Sequence, residues 1–128
     1  MPEIDEPIDG LASSVVHNAS GQVFPTTIAS DRELSAIQRA DLNSWRFDWA
    51  GEAPRGGRDV LALLVAVSDT VQGLISLEAS EGFIVVHLLE SAPHNVGQNK
   101  LYRGVAGNLF AYACARSFPL GFEGFVGF

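Results

Sequence analysis

The sequence predicts an α+β fold built on one mixed sheet, and three observations predict it. The apolar run Val60-Leu61-Ala62-Leu63-Leu64-Val65-Ala66-Val67 reads as a central strand covered on both faces. Two more apolar runs follow after turns of a few residues, so the three strands are antiparallel neighbours. A glycine-led helix then separates the third strand from a last one, and such a crossover sets its two strands parallel.

Taken in order, residues 1–22 are poorly patterned, with turn signals at Asp9-Gly10 and Ser20-Gly21. Leu11, Val15 and Val16 suit a short helix or a short strand. Residues 23–29 read as a strand, and Pro25 places it at an edge or a bulge. Ser30-Asp31-Arg32-Glu33 is a capping box, and Leu34, Ile37, Leu42, Trp45 and Trp49 recur at helical spacing. A helix is therefore expected from about residue 31 to residue 48, its Trp and Leu stripe facing the core. Residues 51–57 form a loop. The three strands cover residues 60–67, 71–78 and 83–89, and a loop over 91–100 follows. The helix opening at Gly104 carries Val105, Leu109, Tyr112 and Ala113 on one side, and Pro119 and Gly121 end it. Residues 122–128 make the last strand. The 128 residues fit one domain with a real core.

Composition removes several function classes. The formal net charge is −7, which repels nucleic acid in the absence of a local basic patch. No apolar run is long enough to cross a bilayer, and the acidic start Met1-Pro2-Glu3-Ile4-Asp5 lacks the features of a signal peptide, so a cytoplasmic protein without membrane partners is expected. The single cysteine, Cys114, lies in an apolar helical stretch and reads as a buried, inert thiol. No metal site is expected.

The charge distribution says more than its total. Residues 91–122 hold no Asp or Glu, yet carry Lys100, Arg103 and Arg116. Within them lies Arg103-Gly104-Val105-Ala106-Gly107-Asn108-Leu109, where a loop becomes a helix. First-turn amides of a helix have no internal partner, and small residues leave them bare. The macrodipole adds positive charge there, so a pyrophosphate suits the place. Lys100 and Arg103 would add full charges. A P-loop would need Lys and Ser or Thr after its glycines, and Asn108 and Leu109 stand there instead. A tightly packed helix start is the plainer reading of the same residues.

Gly104-Val105-Ala106 followed by Leu109 resembles the coenzyme A signature of GNAT N-acetyltransferases, and the order of elements is similar to theirs. Glu90-Ser91-Ala92-Pro93, Lys100, Tyr102, Gly104 and Gly121-Phe122-Glu123-Gly124 resemble a GNAT branch with a long loop before the helix. The resemblance covers residues 23–128, and its specific part is 88–109. It implies acetyl-CoA as acyl donor, bound by backbone amides from Arg103 through Gly104, Val105, Ala106 and Gly107 to Asn108. Leu88 and Leu89 would pair with the pantetheine arm and polarise the thioester. Glu90, at the strand end, is the first candidate general base and His94 the second; a solvated loop carboxylate is the other reading of Glu90. His87 either faces the acceptor cleft or satisfies the core, and Tyr102 either walls the acceptor or packs.

Two departures stand out. Leu101 occupies the place where the family has Gln or Arg before the first glycine. The family also continues past the fifth strand into a helix and hairpin, whereas the sequence given stops at Phe128, as expected of a fragment, of a domain completed from elsewhere or of a degenerate member. The implied function is therefore transfer of an acetyl group to a small-molecule or peptide amine, or else a non-catalytic, degenerate CoA-binding domain. Phe122, Phe125, Val126 and Phe128 would form a sticky edge through which a homodimer would assemble.

Overall fold

The structure, a computed structural model, describes residues 14–30, 44–52, 56–65, 68 and 70–127. Two antiparallel strands, β1 (Ser14–His17) and β2 (Val23–Ser30), open it. One helical turn, α1 (Trp49–Glu52), precedes the meander β3 (Asp59–Val65), β4 (Val71–Ala79) and β5 (Ile84–Ser91). A 3₁₀ turn (Pro93–Asn95) and a short strand, β6 (Tyr102–Arg103), lead into helix α2 (Val105–Ser117), and β7 (Val126–Gly127) ends the fold. All lie in one mixed sheet ordered β6-β1-β2-β3-β4-β5-β7, antiparallel except that β5 and β7 are parallel.

The apolar run in β3 is continuous because both its faces are covered. Leu61, Leu63 and Val65 join Ile75, Leu77, Ile84 and Val86 beneath Val105, Leu109 and Ala113 of α2. Val60 and Ala62 turn the other way and pack with Val71, Leu74 and Trp49. Tyr112 packs against the rim of the first cluster. The expected parallel pairing of the last strand with the third is present, with Ile84 opposite Val126 and Val85 opposite Gly127.

Three expectations differ from the structure. The strand containing Pro25 is interior, between β1 and β3. Pro25 sits where the ladder to β1 reaches its last described rung, at Ser14, and the ladder to β3 begins at Thr26, so its missing N–H interrupts neither. The helix expected over residues 31–48 lies outside the described residues as far as 43; residues 45–47 form bends, and the helical turn comes after them. The strand expected over 122–128 shrinks to two residues. Glu123 and Gly124 both have left-handed backbones, φ 54° and 88°, which no strand accommodates. Phe122 and Val126 pack inward, and Phe125 is 63% exposed.

Two bulges punctuate the meander. Leu63 pairs with Gly73 but Leu64 pairs with Val71, which leaves Gln72 as the extra residue of β4. Ser76 pairs with Leu88 but Leu77 pairs with Val86, which leaves His87 as the extra residue of β5. Bulges re-aim side chains, and both residues enter the site below.

Candidate functional site

The helix mouth is built from its own small residues. Gly104 caps α2 with a left-handed backbone, φ 93°, and no side chain caps the first turn. Ala106 and Gly107 are exposed. Among the described residues no acceptor meets the N–H groups of Val105, Ala106 or Gly107. Asn108 faces inward instead. Its N–H bonds to the Gly104 carbonyl at 3.0 Å, and its side chain donates to the carbonyls of Ser14 and Gly104 at 2.7 and 2.8 Å and accepts from the Thr26 hydroxyl at 3.3 Å. Asn108 therefore ties the mouth to β1 and β2, and the outward donors narrow to three residues. Lys100 is half-buried and Arg103 exposed nearby, and neither meets an acidic partner among the described residues.

The loop before the mouth is held by Gln72, which is 2% exposed. Its side-chain oxygen accepts from His94 Nε2 at 2.8 Å and Asn95 Nδ2 at 2.9 Å, and its carbonyl accepts from the N–H of Ala92. Asn95 Oδ1 accepts from the N–H of Tyr102, and the His94 carbonyl from that of Leu101. Partial burial holds the His94 pKa below its ordinary value, so the ring stays neutral more readily. His94 thus sits in a loop anchor. Burial likewise raises the pKa of Cys114, which keeps it a thiol.

β5 joins the mouth to a second region. Its pairing with β7 covers Ile84 and Val85 alone, so from Val86 to Ser91 its outer edge has no strand partner among the described residues. The far end of this edge lies beside the mouth, because a side chain at Gly73 would meet Val105 and Leu109 at 2.7 and 2.9 Å and the Glu90 carbonyl at 3.2 Å. Leu88 and Leu89 are on this stretch, half-buried and packed toward opposite faces.

Glu90 is a strap. Its carboxylate accepts from the main-chain N–H groups of Arg46 and Phe47 at 2.6 and 3.1 Å and from Trp49 Nε1 at 2.8 Å. An α-helix would send the N–H groups of Arg46 and Phe47 back to carbonyls four residues earlier. Their capture by Glu90 is why the chain bends here.

On the face opposite α2, a cleft of about 380 Å³ is lined by Phe47, Asp48, Glu52, Arg58, His87 and Leu88. The bulge puts His87 and Leu88 on this same face. His87 Nε2 lies 2.8 Å from Glu78 Oε1. A carboxylate accepts, so Nε2 donates to it, and Nδ1 meets no partner among the described residues. Beneath them Glu52, 4% exposed, takes Arg58 Nη1 at 2.7 Å and the Ser76 hydroxyl at 2.6 Å.

Sequence reasoning singled out the mouth, Glu90 as a base or a solvated carboxylate, and His87 as facing a cleft or the core; the Glu90 carboxylate is instead engaged by three donors. It missed Glu78, Glu52, Arg58 and Asp48, and no local pattern marks them. Among the described residues there is no cluster of three metal-ligating side chains and no helix long and apolar enough to cross a membrane. No protein-family model, no curated protein and no solved structure matches this chain.

Proposed function

We propose that the protein is a GNAT-like N-acyltransferase that takes an acetyl group from acetyl-CoA and gives it to an amine. The observation that carries this reading is the unpaired edge of β5, which runs from the cleft at His87 to the bare N–H groups at the mouth of α2. A pantetheine arm adds to such an edge by main-chain hydrogen bonds, and a diphosphate suits the donors of Val105, Ala106 and Gly107. The antiparallel meander β3-β4-β5, the helix α2 and the parallel strand β7 follow one another in the element order on which the resemblance rests. The amine approaches from the opposite face, through the cleft.

His87 replaces Glu90 as the base in this proposal, because Glu90 already accepts three hydrogen bonds. Nδ1 of His87 takes the proton from the incoming ammonium, and Glu78 holds the ring and balances the imidazolium. The amine nitrogen bonds to the thioester carbon, whose oxygen is met by the one main-chain N–H of Leu88 or Leu89 that faces the open edge of β5. The C–S bond then breaks, and the second proton of the amine nitrogen passes to the departing thiolate.

Gly107→Glu tests the donor site without disturbing the fold. Its Cβ position meets nothing within 4 Å, and glutamate is a better helix former than glycine. Titration calorimetry with acetyl-CoA is expected to show binding to the wild type and a loss of roughly tenfold or more in the variant. Equal binding by both proteins refutes the placement. Binding with no thiol release against any amine favours the non-catalytic CoA-binding domain.

A further inference from the structure

We infer that the cleft accepts an amino carboxylate, a small zwitterion with an apolar side chain, as the acceptor. This rests on the acyltransferase reading for the word acceptor, while the binding itself does not. Four features of the cleft support it.

The first is Arg58. A guanidinium has five N–H donors in a planar fork. Only Nη1 is engaged among the described residues, by the buried Glu52. Glu52 is itself fixed by Ser76 from the floor of the sheet. Arg58 is therefore held from below, its remaining donors unspent, on the wall of a cleft. A preorganised fork of this kind matches the two oxygens of a carboxylate.

The second is the pair of sites for an ammonium. Asp48 Oδ1 accepts the N–H of Gly51 at 3.1 Å, and Oδ2 meets no donor among the described residues. His87 offers Nδ1, since Nε2 faces Glu78. Third, Phe47 and Leu88 supply apolar wall for a side chain, and the Phe47 ring is steadied edge-on by Trp49 at 6.4 Å between ring centroids. The fourth is size. About 380 Å³ lies at the small end of ligand clefts, which run from roughly 300 to 1,000 Å³.

Charge decides among small amines. A diamine or polyamine would set a second cation against Arg58. A phosphate ester would bring two negative charges against Asp48 and Glu52. A single carboxylate next to a single ammonium meets one partner each.

The test compares leucine and phenylalanine with isoamylamine and phenethylamine, which lack only the carboxylate. Binding to the wild-type protein is followed by calorimetry without acetyl-CoA. The amino acids are expected to bind roughly tenfold or more tightly than the matching amines. Arg58→Lys keeps a cation against Glu52 but loses the fork, and it is expected to erase that preference while leaving the binding of the amines unchanged. The double variant Glu52→Gln with Arg58→Gln removes both charges together, and it guards against misfolding caused by an unpaired buried carboxylate. The inference is overturned if amine and amino acid bind wild type equally, or if both variants keep the preference. Preferred binding of amino acids together with no binding of acetyl-CoA sinks the acyltransferase reading alone.

Discussion

Glu90 shows how one side chain shapes both regions of the site. Three donors from residues 46–49 converge on its carboxylate across more than forty positions of sequence. Its removal leaves Trp49 Nε1, on a residue 1% exposed, without its acceptor. Glu90→Ala is expected to destabilise the fold by about 2–3 kcal/mol, the scale of hydrogen bonds to a charged group. Urea unfolding with unchanged slope would measure it, and a loss below about 0.5 kcal/mol, the scatter of surface substitutions, contradicts the strap. The two bulged residues, Gln72 and His87, belong to this scale too. Each is a polar side chain in an apolar strand, and the extra rung turns it toward a polar partner.

Among elements, the close approach of α2 to β4 is the one with least tolerance. Gly73 is where helix and sheet touch, and a methyl group there meets Val105, Leu109 and the Glu90 carbonyl, all within 3.2 Å. Its backbone is not left-handed, so space rather than conformation requires glycine. Gly73→Ala is expected to cost about 1–3 kcal/mol of stability, as overpacking does. It is also expected to tilt the first turn of α2, and with it the proposed diphosphate donors. Amide chemical shifts of Ala106 and Gly107 report such a tilt; unchanged shifts and stability contradict the contact. At the other end of α2, the ion pair of Arg116 with Asp59 at 2.6 Å is exposed and contributes little.

For the molecule as a whole, two effects of pH oppose each other. Acidification from pH 7 reduces the net charge of −7 and relieves self-repulsion. His94 acts the other way. Its native pKa is lowered by burial, so below about 6.5 the unfolded chain binds the proton more readily than the native one. Stability from this group is intact above that value and falls as pH drops toward the lowered native pKa. The difference between wild type and His94→Gln isolates it. The wild type is expected to lose stability relative to the variant as the pH falls below about 6.5. Parallel urea midpoints over that range would show that His94 does not carry the linkage.

What the sequence by itself determined is the α+β class, the antiparallel meander, the parallel crossover and the bare mouth of α2. These follow from local physics: apolar runs, short turns, a glycine at a helix start and the length of the connection between strands. Only the tertiary structure decided that Glu90 is a strap rather than a free carboxylate, that Pro25 lies inside the sheet, and that Glu78, Glu52, Arg58 and Asp48 share a cleft with His87. The reason is register. A bulge shifts one rung of a ladder, moves a side chain to the other face and brings residues far apart in sequence into hydrogen-bond distance. The periodicity of a single strand carries no record of its partner's register.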